Sequence, residues 1–94
     1  GAGLELVVER LDEAAELGLP SNQGLLIVKI KSGKSAAESG LRAGDVIISA
    51  NLMPVGNAQT LGKILKSAKA KGAVLLQINR RGQIFFRAVP LAEQ

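Results

Sequence analysis

Only one segment of this 94-residue chain, residues 57–70, carries a helical apolar stripe longer than two turns. Leu61, Ile64, Leu65 and Ala68 recur there at spacings of 3, 4 and 7, Asn57 stands where a side-chain cap is needed, and Gly72 supplies the stop. One such helix can cover one face of one sheet, so the remaining apolar residues must be placed in strands. They are patterned accordingly. Leu4, Leu6 and Val8 alternate with Glu5, Val7 and Glu9, the pattern of a strand with one buried face, while residues 25–30 (LLIVKI) and 46–50 (VIISA) are apolar and β-branched enough for interior strands. Residues 73–79 and 83–89 flank Arg80-Arg81-Gly82, which predicts a terminal hairpin with a positive φ at Gly82.

Shorter signals fill the gaps. Asp12 caps a helix of about two turns over residues 13–17, closed by Gly18, and Ser35 caps a second brief helix over residues 36–39, closed by Gly40. Residues 20–24 (PSNQG) and 42–45 (RAGD) read as turns, the second with Asp45 positioned to accept from the turn's own amides. The order is strand, helix, strand, short helix, strand, long helix, strand, strand, with no internal repeat or linker.

Composition removes several functions. There is no cysteine and no histidine, so disulfides, thiolate metal sites and every Ser-His or Cys-His catalytic arrangement are absent. Ser32, Lys34 and Ser35 do not make a catalytic pair, because Ser35 is used as a helix cap. The net charge of +4 arises largely from Lys29, Lys31, Lys34, Lys63, Lys66, Lys69 and Lys71, but the only aromatic residues are Phe85 and Phe86 and the front end is acidic. That favours a solvated basic face over nucleic-acid binding. The apolar runs are far shorter than the roughly 20 residues a spanning helix takes, so no membrane contact is expected. Gly1-Ala2-Gly3 carries neither an initiator Met nor an export signal and reads as the cut edge of a longer protein. Gly62, inside the long helix, costs about 1 kcal/mol relative to alanine and reads as a tolerated weakness.

Residues 24–47, GLLIVKIKSGKSAAESGLRAGDVI, resemble the central signature of bacterial PDZ domains. In that family a strand runs into Gly-Ser-Pro-Ala-x-x-Ala-Gly-Leu-x-x-Gly-Asp-x-Ile and a further strand, followed by the long helix and the hairpin. Ala36 stands at the usual proline, and Leu52-Met53 replaces the customary glycine after Asn51. The likeness extends from Gly3 to about Leu91, within a single domain spanning 1–94. The opening, Gly3 to Leu19, resembles the PDZ domains of Deg/HtrA proteases, which place the ligand strand first; animal PDZ domains are circularly permuted relative to this order. The resemblance implies an α+β, mainly β fold: a PDZ-like, partly open five- to six-stranded β-barrel or sandwich in the bacterial, permuted strand order, with one long helix and one or two short ones.

It also implies a binding mechanism. An extended peptide, free C-terminus first, adds as a strand to an exposed edge. The family's carboxylate loop has the form x-apolar-Gly-apolar, which Gly1-Ala2-Gly3-Leu4 matches, and successive amides there can hold an anion. The implied peptide-binding set is Ala2, Gly3, Leu4, Glu5, Leu6 and Val7 on the strand, with Asn57, Leu61 and Ile64 on the helix; Leu65 is read as core. No cofactor, metal or catalytic residue is implied. The implied partners are C-termini or extended segments of unfolded proteins and other subunits of a periplasmic serine endopeptidase oligomer, the domain being its second PDZ domain. Another bacterial PDZ carrier docking on a folded partner is the alternative: a site-2 protease, a C-terminal processing protease or a secretion component.

Overall fold

In the computed structural model, residues 6–10, 24–31 and 38–91 are described. They form strands β1 (Leu6–Arg10), β2 (Leu25–Ile30), β3 (Val46–Ala50) and β4 (Met53–Pro54), helix α1 (Ala58–Lys69), and strands β5 (Ala73–Arg80) and β6 (Gln83–Pro90). Every pairing is antiparallel, and the spatial order is β1-β2-β3-β5-β6 with β4 on β3. The anticipated mainly β architecture is therefore present: among the described residues, a six-stranded sheet is left open at β1 and β6 and carries one long helix. The helix predicted over residues 13–17, the PSNQ turn and the Ser35 cap lie outside the described residues; Glu38 and Ser39 are helical ahead of Gly40.

Strand periodicity decides which side chains are inside. Leu25 and Ile27 of β2, Ile47 of β3, and Val74, Leu76 and Ile78 of β5 are all buried, and the helix adds Leu61, Ile64 and Ala68 to the same cluster. Asn57 caps α1 as predicted, its Oδ1 accepting from the Thr60 amide at 2.8 Å. Gly24 brings β2 against β3: with φ +121°, an added β-carbon would come within 2.8 Å of the Ile47 carbonyl oxygen.

Two connections differ from the sequence reading. The terminal turn contains only Arg81 and Gly82, at φ 53° and 89°, so Arg80 belongs to β5 and pairs with Gln83. Two consecutive positive φ values suit the twist of a two-residue hairpin, which explains why β5 runs one residue closer to the turn while β6 starts at Gln83 as read. After β3 the chain makes a second such turn through Asn51 and Leu52, at φ 49° and 66°, into β4, an element too short to show periodicity. Asn51 is held there by two hydrogen bonds to Leu75: its amide donates to the Leu75 oxygen at 2.7 Å and its Oδ1 accepts from the Leu75 amide at 2.9 Å.

The Arg42–Asp45 turn forms as read. Asp45 is 2% exposed and its Oδ2 accepts from the Arg42 amide at 2.9 Å. The sequence did not reveal its charge partner. Arg80 Nε donates to Oδ1 at 2.8 Å and Nη2 to Oδ2 at 2.9 Å, and the same Nη2 reaches the Gly40 carbonyl at 2.9 Å. This fork ties the end of β5 to the turn before β3. Burial pushes the Asp45 carboxyl up, but the hydrogen bonds from Arg80 and the Arg42 amide, with the positive charges of both arginines, outweigh it and hold the group below the usual carboxylate range.

Candidate functional site

Among the described strands, β1 is paired on one side only, with β2. Its other edge faces α1, and between them lies a cleft of about 290 Å³ lined by Leu6, Val7 and Val8 of β1, Lys31, and Ala58, Leu61, Gly62 and Leu65 of α1. Along the helix the lining residues fall at i, i+3, i+4 and i+7, a single stripe. The core stripe, Leu61, Ile64 and Ala68, is rotated around the axis from it, and Leu61 is common to both. At about 100° per residue, Ile64 sits roughly that far around the helix from Leu65, so the two cannot face the same cleft.

The sequence-derived residues therefore separate. Leu6, Val7 and Leu61 come together in the cleft. Asn57 is occupied in capping α1, and Ile64, 9% exposed, packs in the core instead of lining the cleft. Ala2, Gly3, Leu4 and Glu5 lie outside the described residues. The cleft also recruits Val8, Lys31, Ala58, Gly62 and Leu65, which the sequence reading left out. Gly62 is open to it, since a β-carbon added there meets nothing within 4 Å. The available signal was the pair of small residues at Ala58 and Gly62 on the stripe that runs to Leu65. Chemically the site offers apolar walls, an unpaired strand edge and one ammonium, Lys31. That set suits holding an extended chain and contains no acid–base pair.

A family profile described as PDZ domain matches residues 3–85. The chain belongs to the PDZ domain family. Among curated relatives, this PDZ domain is 33% identical over 90 residues to a probable periplasmic serine endoprotease, DegP-like, of Brucella suis, an alignment covering 92% of the chain and 18% of that protein. The chain thus spans less than a fifth of that relative, and the matched part is the PDZ portion, not the catalytic one. Among solved structures, the HtrA3 PDZ domain bound to a phage-derived ligand (FGRWV) superposes with a TM-score of 0.72 at 15% identity, covering 98% of this chain and 83% of that one. A variant of the HtrA-type protease AlgW with a decapeptide gives a TM-score of 0.76 at 19% identity, covering 100% of this chain and 29% of that one.

Proposed function

We propose that this PDZ domain captures extended, apolar peptide segments, C-termini among them, by strand addition to the free edge of β1. One observation carries the reading: an edge of β1 that no other described strand pairs faces the apolar wall of α1 across a cleft of about 290 Å³. A peptide laid there completes the backbone hydrogen bonds of β1 and buries its alternate side chains against Ala58, Leu61, Gly62 and Leu65. The solved neighbours support it, because the HtrA3 PDZ domain carries the ligand FGRWV, which ends on valine, and the AlgW variant carries a decapeptide. Gly3 and Leu4, with Gly1 and Ala2 before them, would supply the amides that receive the terminal carboxylate. Within a periplasmic serine endoprotease of the DegP type, as second PDZ domain, the module would deliver unfolded segments to the protease or join its subunits.

Affinity should be micromolar, about 8 kcal/mol, because a short edge must also offset the ordering of a flexible peptide. The test is a fluorescence-polarisation titration with labelled peptides ending in free Val, Leu or Ala, each beside its C-terminal amide. Saturable binding lost on amidation and on Leu6→Glu supports terminal capture. Binding indifferent to both would refute it and favour docking on a folded partner through another face.

A further inference from the structure

The apolar cleft beside β1 is bordered by positive charge on both walls. Lys31 follows β2, whose Ile30 pairs with Leu6, so it stands at the start of β1, and it lines the cleft. On the helix wall the lining stripe runs on past Leu65 into lysines. At about 100° per residue, Lys69 lies about 40° around the axis from Leu65 and about 20° from Ala58, while Lys66 lies about 40° from Gly62. Residues four apart on a helix are neighbours, so both lysines adjoin the wall at the end of the stripe. Lys66 is exposed and Lys69 half-buried, the state of a lysine whose stem covers apolar surface while its ammonium reaches water. Lys63, about 100° from Gly62 and about 160° from Leu65, belongs to the outer face instead.

The described carboxylates do not answer this charge. They belong to Glu9, Glu38 and Asp45; none lines the cleft, and Asp45 is held by Arg80. Lys66 and Lys69 make no ion pair with any of the three. Both suit the C-terminal turn of α1, where a cation offsets the helix dipole, a role that leaves the ammonium within reach of a ligand. Lys31 already has a partner, but an ammonium carries three donors and can take a ligand oxygen as well. We propose, resting on the reading of β1 as the capturing edge, that the segment taken up here is acidic as well as apolar, with Asp or Glu alternating with aliphatic residues. Alternation follows from the strand: every second side chain meets the wall of Leu61 and Leu65, and those between stand at the rim, where the ammoniums reach. Such a segment uses the backbone edge, the apolar wall and the charge together. A nucleic acid or an anionic membrane would use only the charge.

The probe is acetyl-Gly-Glu-Val-Glu-Val with a free C-terminus, beside its counterpart with glutamine for glutamate, titrated label-free by calorimetry. At low salt the glutamate peptide should bind about fivefold or more tighter, and at 0.5 M salt the difference should fall below about twofold, since exposed pairs are weak and screened. Lys31→Gln should at least halve the glutamate advantage, as should Lys66→Gln combined with Lys69→Gln, whereas Lys63→Gln should leave it intact. Gly62→Leu should weaken both peptides. Equal affinity of the two peptides, each still lost on amidation, would overturn the acidic preference and leave capture by β1 standing. No binding of either would overturn both. A glutamate advantage that persists in the lysine variants, or binding untouched by Gly62→Leu, would put the acidic segment on another surface and overturn the proposal.

Discussion

Replacing Leu52 with glycine should stabilise this domain, against the usual effect of truncating a leucine. Leu52 sits at φ 66°, where a side chain crowds the following carbonyl at a cost of about 1–2 kcal/mol. It is 73% exposed, so little burial is lost with the side chain. Glycine gives back about 0.5–1 kcal/mol through the freedom of the unfolded chain. The net expectation is a gain of about 0.5–1 kcal/mol, which in a domain of this size raises the melting temperature by about 2–8 °C. Asn51→Gly is the contrast: asparagine tolerates the left-handed region, and its Oδ1 accepts from the Leu75 amide at 2.9 Å, so removing it should destabilise. Urea unfolding followed by far-UV circular dichroism measures both, since the chain has no Trp or Tyr to serve as a fluorophore. A midpoint raised for Leu52→Gly and lowered for Asn51→Gly, at constant slope, is the predicted result. A loss of stability in Leu52→Gly would mean that the exposed leucine is stabilised by contacts that outweigh its backbone cost.

Three further outcomes follow from the geometry. Gly62→Leu should obstruct the β1 cleft, weakening free-carboxylate peptides about tenfold or more in the polarisation assay, while stability holds or rises because the added β-carbon meets nothing and leucine is the better helix former. Ile64→Ala should cost about 2–5 kcal/mol in urea unfolding yet alter peptide affinity of the folded protein less than about threefold; the reverse result would put Ile64 in the cleft. Because the folded carboxyl of Asp45 titrates below its unfolded value, its contribution is present above about pH 4 and is lost as pH falls through the folded value, so the stability gap between the unsubstituted chain and Asp45→Asn should shrink on acidification; a gap independent of pH would refute that assignment.

Local chemistry made most of the described elements legible. The 3.6-residue stripe and the Asn57 cap located α1, and β-branched runs located β2 and β3, because each signal is carried by neighbours in sequence. The cleft was only half legible. Periodicity finds an apolar stripe but does not say which flank of it meets the edge of β1, so the sequence points to Ile64 where Leu65 lines the cleft, and Lys31 arrives from a different part of the chain. The Asp45–Arg80 pair escaped for the same reason: its members are 35 residues apart, and nothing local marks Arg80 as a partner rather than a turn residue. Gly62 reads as a defect in sequence because the open space beside it, on the cleft wall, exists only in the fold.

The double role of Leu61 divides the helix into positions of different freedom. On the proposed binding mode, a change there alters packing and recognition at once, so a lineage exploring new ligands through Leu61 must find compensating changes in the interior. Ala58 and Gly62 carry no such obligation, whereas Leu65 lines the cleft and also packs against the core cluster. Diversification of ligand preference in domains built this way should therefore be recorded at Ala58 and Gly62, while Leu61 stays nearly constant.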